Sequence, residues 1–184
     1  MGKFARSWEL TKTTLSVMKK DKEIFIFPVL AIIVSIGFLI LFGVFALFAG
    51  IISLVGGLSM ALLGYILLFV LYLFLAGISA FFSVCVVYTA SMRFNKKDAT
   101  LGQSISFALK RLDKIILWAI VSATVGIILK ILENMAEKAK GIGKILLNIF
   151  RFILGTAWSI STIFVLQGIV YKNLGPFASI KDSL

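Results

Sequence analysis

The chain has 184 residues, of which 60% are apolar and 15% charged, and its formal net charge at pH 7 is +11. A soluble domain of this length has too little interior for so many apolar side chains, so the composition predicts a multi-pass protein of the cell membrane. The basic residues flank apolar segments and form no separate polar face, which argues against nucleic acid as a partner. Membrane lipids and other membrane subunits are the expected partners.

Residues 1–23 are predicted to form an amphipathic helix that lies in the membrane interface. Large apolar residues recur on one helical face and basic residues occupy the other. We expect Trp8 at the depth of the lipid headgroups, where aromatic rings with a polar edge concentrate. Asp21 is a candidate N-cap for the next helix. Pro28 is expected near the start of that helix, where its missing N–H is least costly.

The segment from Ile24 to Met92 contains no charged residue, although about 20 residues suffice to span a bilayer. Backbone groups in lipid must be satisfied within the segment, and no strand-like alternation is present, so the segment is helical. Gly56 and Gly57 give the best turn signal, which predicts a long transmembrane hairpin over residues 24–92. Three shorter spans also fit the length, but only two leave both basic flanks in the cytoplasm.

Residues 93–114 predict a second amphipathic helix in the membrane plane, on the cytoplasmic side. Thr100 and Gln103 have the spacing of a capping box, in which each side chain bonds the backbone of the other residue. One face is apolar and consists of Leu101, Ile105, Leu109 and Leu112. The other face is basic and is expected to contact headgroups or a partner through Lys110, Arg111 and Lys114.

A second transmembrane pair is predicted over residues 115–171, with spans at Ile115–Leu132 and Phe152–Tyr171. Residues 172–184 form a cytoplasmic tail that resembles the start of a third in-plane helix. The sequence therefore predicts one all-α transmembrane domain over residues 1–184. It is a bundle of about four transmembrane helices and two in-plane helices, with both termini in the cytoplasm.

A charged stripe separates the last two spans. Its members have helical spacing and are Glu133, Glu137, Lys140, Lys144, Asn148 and Arg151. The stripe is either one face of a helix that extends the fourth span, or it is broken by a tight turn at Gly141 and Gly143. In the second case pairing around Ile142 places Glu133 opposite Arg151, and we expect an ion pair. In the first case Arg151, like Lys144, contacts a headgroup or a neighbouring subunit.

Polar residues within the spans have two interpretations. Thr156, Ser159 and Thr162 either line a permeation path or serve helix packing, and the small-residue spacing of Ser122 with Gly126 favours packing. Gln167 is the exception, because a long amide in lipid needs a hydrogen-bond partner.

No catalytic, cofactor-binding or metal-binding residue is predicted. The chain has no histidine and one cysteine, and its eight acidic residues lie at span ends or in loops. Since no nucleophile has a base to activate it and no metal-ligand spacing occurs, we do not expect an enzyme.

Four short motifs resemble a family of uncharacterised, largely archaeal membrane proteins that is known only as a domain of unknown function. The motifs are Phe4-Ala5-Arg6-Ser7-Trp8-Glu9-Leu10, Phe27-Pro28-Val29-Leu30, Ser122-Ala123-Thr124-Val125-Gly126 and Gly175-Pro176-Phe177. The resemblance implies a polytopic helical fold and an archaeal source, and it implies no activity. Members have a proline late in the fourth span, where this chain reads Val165-Leu166-Gln167-Gly168, and they continue into further spans.

The expected function is that of a non-catalytic scaffold that self-associates, or of an accessory subunit in a membrane complex. The alternative is a small channel or transporter that is built as an oligomer, because the fourth span carries a polar face.

Overall fold

The computed structural model describes residues 22–56, 60–95 and 97–183. This part of the chain is almost entirely helical and contains no strand. Its helices are α1 (Lys22–Gly56), α2 (Met60–Phe94), α3 (Leu101–Leu109), α4 (Leu112–Lys138), α5 (Ile142–Gln167) and α6 (Pro176–Ser183), with a π-helical segment at Gly168–Lys172.

Four of these helices are long and apolar enough to cross a membrane. The candidate spans are Ile24–Leu54, Leu62–Phe94, Leu112–Lys138 and Ile142–Lys172. The last two candidate spans are longer than expected, because each helix continues past its apolar segment into charged residues. The α1 and α2 helices have 35 residues each, so each is about 50 Å long, against a hydrocarbon thickness of about 30 Å. The fold is therefore all-α and indicates an integral membrane protein.

The α1 and α2 helices form an antiparallel hairpin. Phe38 of α1 stacks on Phe74 of α2 with ring centroids 5.0 Å apart. Farther along the hairpin, Pro28 of α1 and Val87 of α2 border one groove. Among the described helices, α2 is the one against which α1 packs along its length. The predicted turn is at Gly56 and Gly57: Gly56 is the last residue of α1, and residues 57–59 lie outside the described residues.

Two expectations about the start of α1 have different outcomes. The amphipathic helix over residues 1–23, with Trp8 and the cap Asp21, falls outside the described residues except for Lys22 and Glu23, the first two residues of α1. Pro28 lies inside α1 and not at its start, because the helix already begins at Lys22. The carbonyl of Ile24 consequently has no N–H donor at position 28.

The core lies where α2, α4, α5 and the π-helical segment meet. Fully buried side chains include Val84 and Ile169, and the Trp118 and Trp158 rings stack with centroids 4.7 Å apart. Glycines let the helices approach, since a Cβ on Gly126 would lie 2.8 Å from the Tyr72 ring. The central element is α2, which packs against α1, α3 and α4.

The α3 helix begins with the predicted capping box. The backbone N–H of Gln103 donates to Thr100 Oγ1 at 3.3 Å, and the backbone N–H of Thr100 donates to Gln103 Oε1 at 3.1 Å. However, α3 ends at Leu109 and does not reach Asp113. The predicted helix over residues 93–114 is therefore wrong in its bounds, because Leu112 already begins α4. The face of α3 that packs within the protein contains Ser104 and Ala108, which are fully buried, and Leu109 is 51% exposed.

The connection between α4 and α5 decides between the two interpretations of the charged stripe. The α4 helix ends at Lys138, and Gly141 adopts a positive φ of 60° just before α5 begins at Ile142. The interpretation of the stripe as one helical face is therefore wrong. Glu133 and Glu137 lie on α4, whereas Lys144, Asn148 and Arg151 lie on α5.

Candidate functional site

Arg111 links four elements at one end of the bundle. It lies between α3 and α4, and its Nε donates to the carbonyl oxygen of Ile169 in the π-helical segment at 2.8 Å. Its guanidinium carbon lies 3.8 Å from the centroid of the Phe107 ring, a cation–π geometry. Phe107 in turn stacks on Tyr88 of α2 at 4.0 Å. Burial lowers the pKa of Arg111, but an arginine starts so far above neutrality that it stays charged.

Lys114 makes a second link at the same end. Its Nζ donates to Oδ1 of Asn173 at 2.6 Å, and Asn173 has the left-handed conformation that ends the π-helical segment. Lys114 also lies 3.7 Å from Asp113. Of the three cations expected to face headgroups or water, Arg111 and Lys114 therefore bind within the protein, because the chain folds back over them. Lys110 is exposed and borders an open cavity beside Met92.

The C-terminal helix docks on a glycine. A Cβ on Gly168 would lie 2.2 Å from Oγ and 2.6 Å from Cβ of Ser179. Pro176 and Ser179 are buried against this surface, while Phe177 is 65% exposed. The Gly-Pro-Phe motif thus positions α6 through its proline.

A buried polar contact joins α2 to α3. The hydroxyl oxygens of Thr89 and Ser104 are 2.7 Å apart, and Thr89 Oγ1 donates to the carbonyl of Cys85 at 2.9 Å. Cys85 Sγ lies 3.6 Å from the carbonyl oxygen of Ser104. Sequence reasoning missed this contact. The available signal was a hydroxyl residue within a largely apolar stretch of each helix, Thr89 in α2 and Ser104 in α3.

Glu133 gathers two cations toward the other end of the bundle. Its Oε2 accepts from Lys130 Nζ at 3.0 Å, and its Oε1 lies 3.2 Å from Nη2 of Arg151. Glu133 and Arg151 are thus in contact across the α4–α5 hairpin. Lys130 was missed because it lies in the apolar segment assigned to the third span. Lys144 is exposed on α5.

Two open cavities meet at Arg151. Their volumes are about 520 and 350 Å³, and both are lined by Leu129, Arg151 and Gly155. The larger also contains Asn148 and Trp158.

The polar face of α5 is largely satisfied by its own helix. Thr156, Ser159 and Ser161 donate to the carbonyls four residues earlier at 2.8–3.0 Å. Gln167 is exposed and borders a groove of about 690 Å³ between α1, α2 and α5, together with Ser35 and Ser83. Within the described part of the chain, no hydrogen bond to the Gln167 amide is found.

Metal ligands do not cluster in the part of the chain that the structure describes: it contains no group of three or more His, Cys, Asp or Glu residues that could hold an ion.

No curated protein and no solved structure matches the chain. A family model does match, over residues 61–184, and its description is a family of unknown function, DUF6159. The match spans α2 and every described helix after it, including the Arg111 contacts, the α6 docking surface and the Glu133 cluster. Since it covers more than half of the chain, the protein belongs to the family of unknown function DUF6159.

Proposed function

We propose that the protein is a non-catalytic membrane scaffold that self-associates, or joins other membrane subunits, through the outward face of α1. The observation that carries the proposal is that α1 packs along its length against α2 alone among the described helices. Its opposite face carries residues spaced 3, 4, 3 and 4 apart, all exposed or half-exposed. We name this set the α1 seam: Ile40, Gly43, Leu47, Gly50 and Leu54.

The α1 seam has the pattern that helix association in lipid requires. Lipid tails are as apolar as leucine, so packing must supply the attraction, and small residues let two backbones approach. A Cβ added to Gly43 or Gly50 would meet nothing within 4 Å. The alternation of large side chains with glycines every seven residues therefore leaves sockets for a second helix, with the left-handed crossing of a heptad repeat.

The remaining parts of the proposal concern orientation and lipids. We propose that both termini face the cytoplasm and that residues 1–23 and α3 lie near the membrane plane on that side. Trp8, Lys110 and Lys144 would then contact headgroups. An archaeal source with a thick ether-lipid membrane would suit two helices of 35 residues.

Energy transfer between labelled copies in liposomes tests the α1 seam. The parent should retain transfer as lipid is added, and the double variant Gly43→Ile, Gly50→Ile should lose it, because the new side chains fill the sockets. Gly64→Ile is the matched control, since Gly64 is an exposed glycine of α2 with equally open surroundings. Equal transfer in the parent and the double variant would refute the role of the seam.

The second candidate, an oligomeric channel or transporter, is supported by the groove that contains Gln167, Ser35 and Ser83. An unpartnered amide in lipid would be accounted for if oligomerisation closed this groove into a polar path. Flux of common ions into liposomes that Gln167→Leu abolishes would support this function. Absence of flux from the parent would eliminate it.

A further inference from the structure

The cluster formed by Lys130, Glu133 and Arg151 lies about the thickness of the membrane hydrocarbon away from Lys114 and Lys172, which lie at the opposite end of the bundle. On α4 the interval from Lys114 to Glu133 is 133 − 114 = 19 residues, or about 28 Å at the α-helical rise. From Arg151 on α5 to Lys172 the interval is 172 − 151 = 21 residues, or about 31 Å. Since the hydrocarbon of a bilayer is about 30 Å thick, the cluster lies at the boundary where lipid phosphates begin.

The charges of the cluster do not cancel. Lys130 and Arg151 supply two positive charges and Glu133 supplies one negative charge, so the group carries +1. Glu137 lies one turn farther along α4 and is exposed. A guanidinium has five N–H donors and an ammonium has three, so each cation can hold Glu133 and an anion together. Both cations are partly exposed, at 42% for Arg151 and 39% for Lys130.

The space beside Arg151 is made by a glycine. Gly155 lines both cavities, and a Cβ at this position would meet nothing within 4 Å. Asn148 adds an amide to the wall of the larger cavity, and Lys130 lines the smaller one. The walls of the cavities thus combine cations with apolar surface from Leu129 and, in the larger cavity, from Phe152. This is the polarity of a lipid at the point where the headgroup meets the acyl chains.

We propose that Lys130 and Arg151 bind the phosphate group of an anionic membrane lipid in the space that Gly155 leaves open. A planar guanidinium matches phosphate oxygens in pairs, and an adjacent ammonium adds a point charge. The site is on the α4–α5 hairpin and shares no residue with the α1 seam. The inference goes beyond self-association and stands or falls separately from it.

Lipid titration of the purified protein, with native mass spectrometry as the readout, tests the site. The parent should bind phosphatidylglycerol more tightly than phosphatidylcholine. Arg151→Gln should weaken phosphatidylglycerol binding by about tenfold, as expected for loss of a charge-assisted hydrogen bond. Lys138→Gln is the matched control, because Lys138 is an exposed cation of α4 outside both cavities, and it should change binding by less than about twofold.

Gly155→Leu separates the geometry of the site from its charge. It fills the cavities and leaves every cation in place, so it should reduce phosphatidylglycerol binding as strongly as Arg151→Gln. It also keeps the test decisive if Arg151→Gln fails to fold, which thermal unfolding would reveal. Equal losses in Arg151→Gln and Lys138→Gln, or unchanged binding in Gly155→Leu, would overturn the proposal in favour of diffuse attraction.

Competition by inorganic phosphate distinguishes the two sources of the ligand. Lipid binding at this site predicts that millimolar phosphate displaces little phosphatidylglycerol, since the acyl chains contribute to its affinity. A parent that binds inorganic phosphate in an Arg151-dependent manner, but does not discriminate between the two lipids, would have a site for a soluble phosphate. That result would overturn the assignment to lipid.

Discussion

Single residues with two or more partners join segments that are far apart in the chain. Arg111 connects the α3–α4 junction to Ile169, and Glu133 connects Lys130 to Arg151. An exposed ion pair contributes only about 0–1 kcal/mol to stability. Because Glu133 is 30% exposed, we expect its pair with Arg151 to contribute a similarly small amount. Arg111 differs because its bond is to a backbone carbonyl in the packed core, where loss of a charged donor leaves an acceptor without a partner.

Replacement of Gly168 should lower the stability of the protein directly, through a steric clash with α6. Gly168→Ala would place a methyl group within 2.6 Å of Ser179 Cβ, so α6 must move away. We expect destabilisation by about 1–3 kcal/mol, the usual cost of overpacking. Denaturant or thermal unfolding in detergent micelles measures it.

Two further variants identify the cause of that loss. Gly155→Ala, in the same stretch of helix but with open space around its Cβ, should be neutral or stabilising by up to about 1 kcal/mol. Combining Gly168→Ala with Ser179→Gly should cost less than the sum of the single changes, because the colliding atoms are gone. Strict additivity would contradict the proposed contact.

At the scale of elements, a local pattern predicted the start of α3 but not its end. The capping box of Thr100 and Gln103 is a short-range pattern, and it is present as expected. The end of α3 at Leu109 comes just before Arg111, which bonds Ile169, 58 residues away in the chain. No local pattern contains that contact. For the same reason Lys130 and Asn173 could not be assigned to the site, since the partner of each is set by the way the helices pack.

The break between α4 and α5 rests on Gly141. Its φ of 60° and ψ of −134° belong to a region that is essentially restricted to glycine, so Gly141→Ala should destabilise the protein by about 1–3 kcal/mol. Gly143→Ala is the control. Gly143 is helical and its Cβ would make an ordinary 3.9 Å contact with Ala139, so the change should be neutral or stabilising by about 0.5–1 kcal/mol. Unfolding curves in which both variants move equally would show that the turn does not require the glycine.

At the scale of the whole molecule, the number and type of the long helices followed from the uncharged run and the charged flanks, while their relative burial did not. The α1 helix is mostly exposed and α2 is central, although both are apolar except at their ends on the basic flanks. Hydrophobicity predicts insertion into lipid and does not discriminate a lipid-facing surface from one that packs on a helix, because both are apolar. The distinction arises from small residues and from polar contacts such as that of Thr89 with Ser104.

Orientation in the membrane is the property that the charge distribution predicts most strongly. Five of the 19 basic residues lie around the α4–α5 turn, and the other 19 − 5 = 14 lie before or at the start of α1, from the end of α2 to the start of α4, or after α5. Lys97 and Lys140 are separated by one membrane-length helix, α4, and Lys140 and Lys181 by another, α5. The positive-inside tendency therefore predicts that Lys97 and Lys181 lie in the cytoplasm and that Lys140 lies outside.

Single cysteines at these three exposed positions test the arrangement with a membrane-impermeant maleimide, since the native Cys85 is buried and will not compete. Lys140→Cys should react in intact cells, whereas Lys97→Cys and Lys181→Cys should react only after the membrane is opened. Labelling of Lys97→Cys and Lys140→Cys from the same side would mean that α4 does not cross the membrane. If only Lys97→Cys and Lys181→Cys react in intact cells, α4 and α5 still cross the membrane, but in the opposite orientation. The 14 basic residues would then face outward, and the prediction from the positive-inside tendency would be wrong.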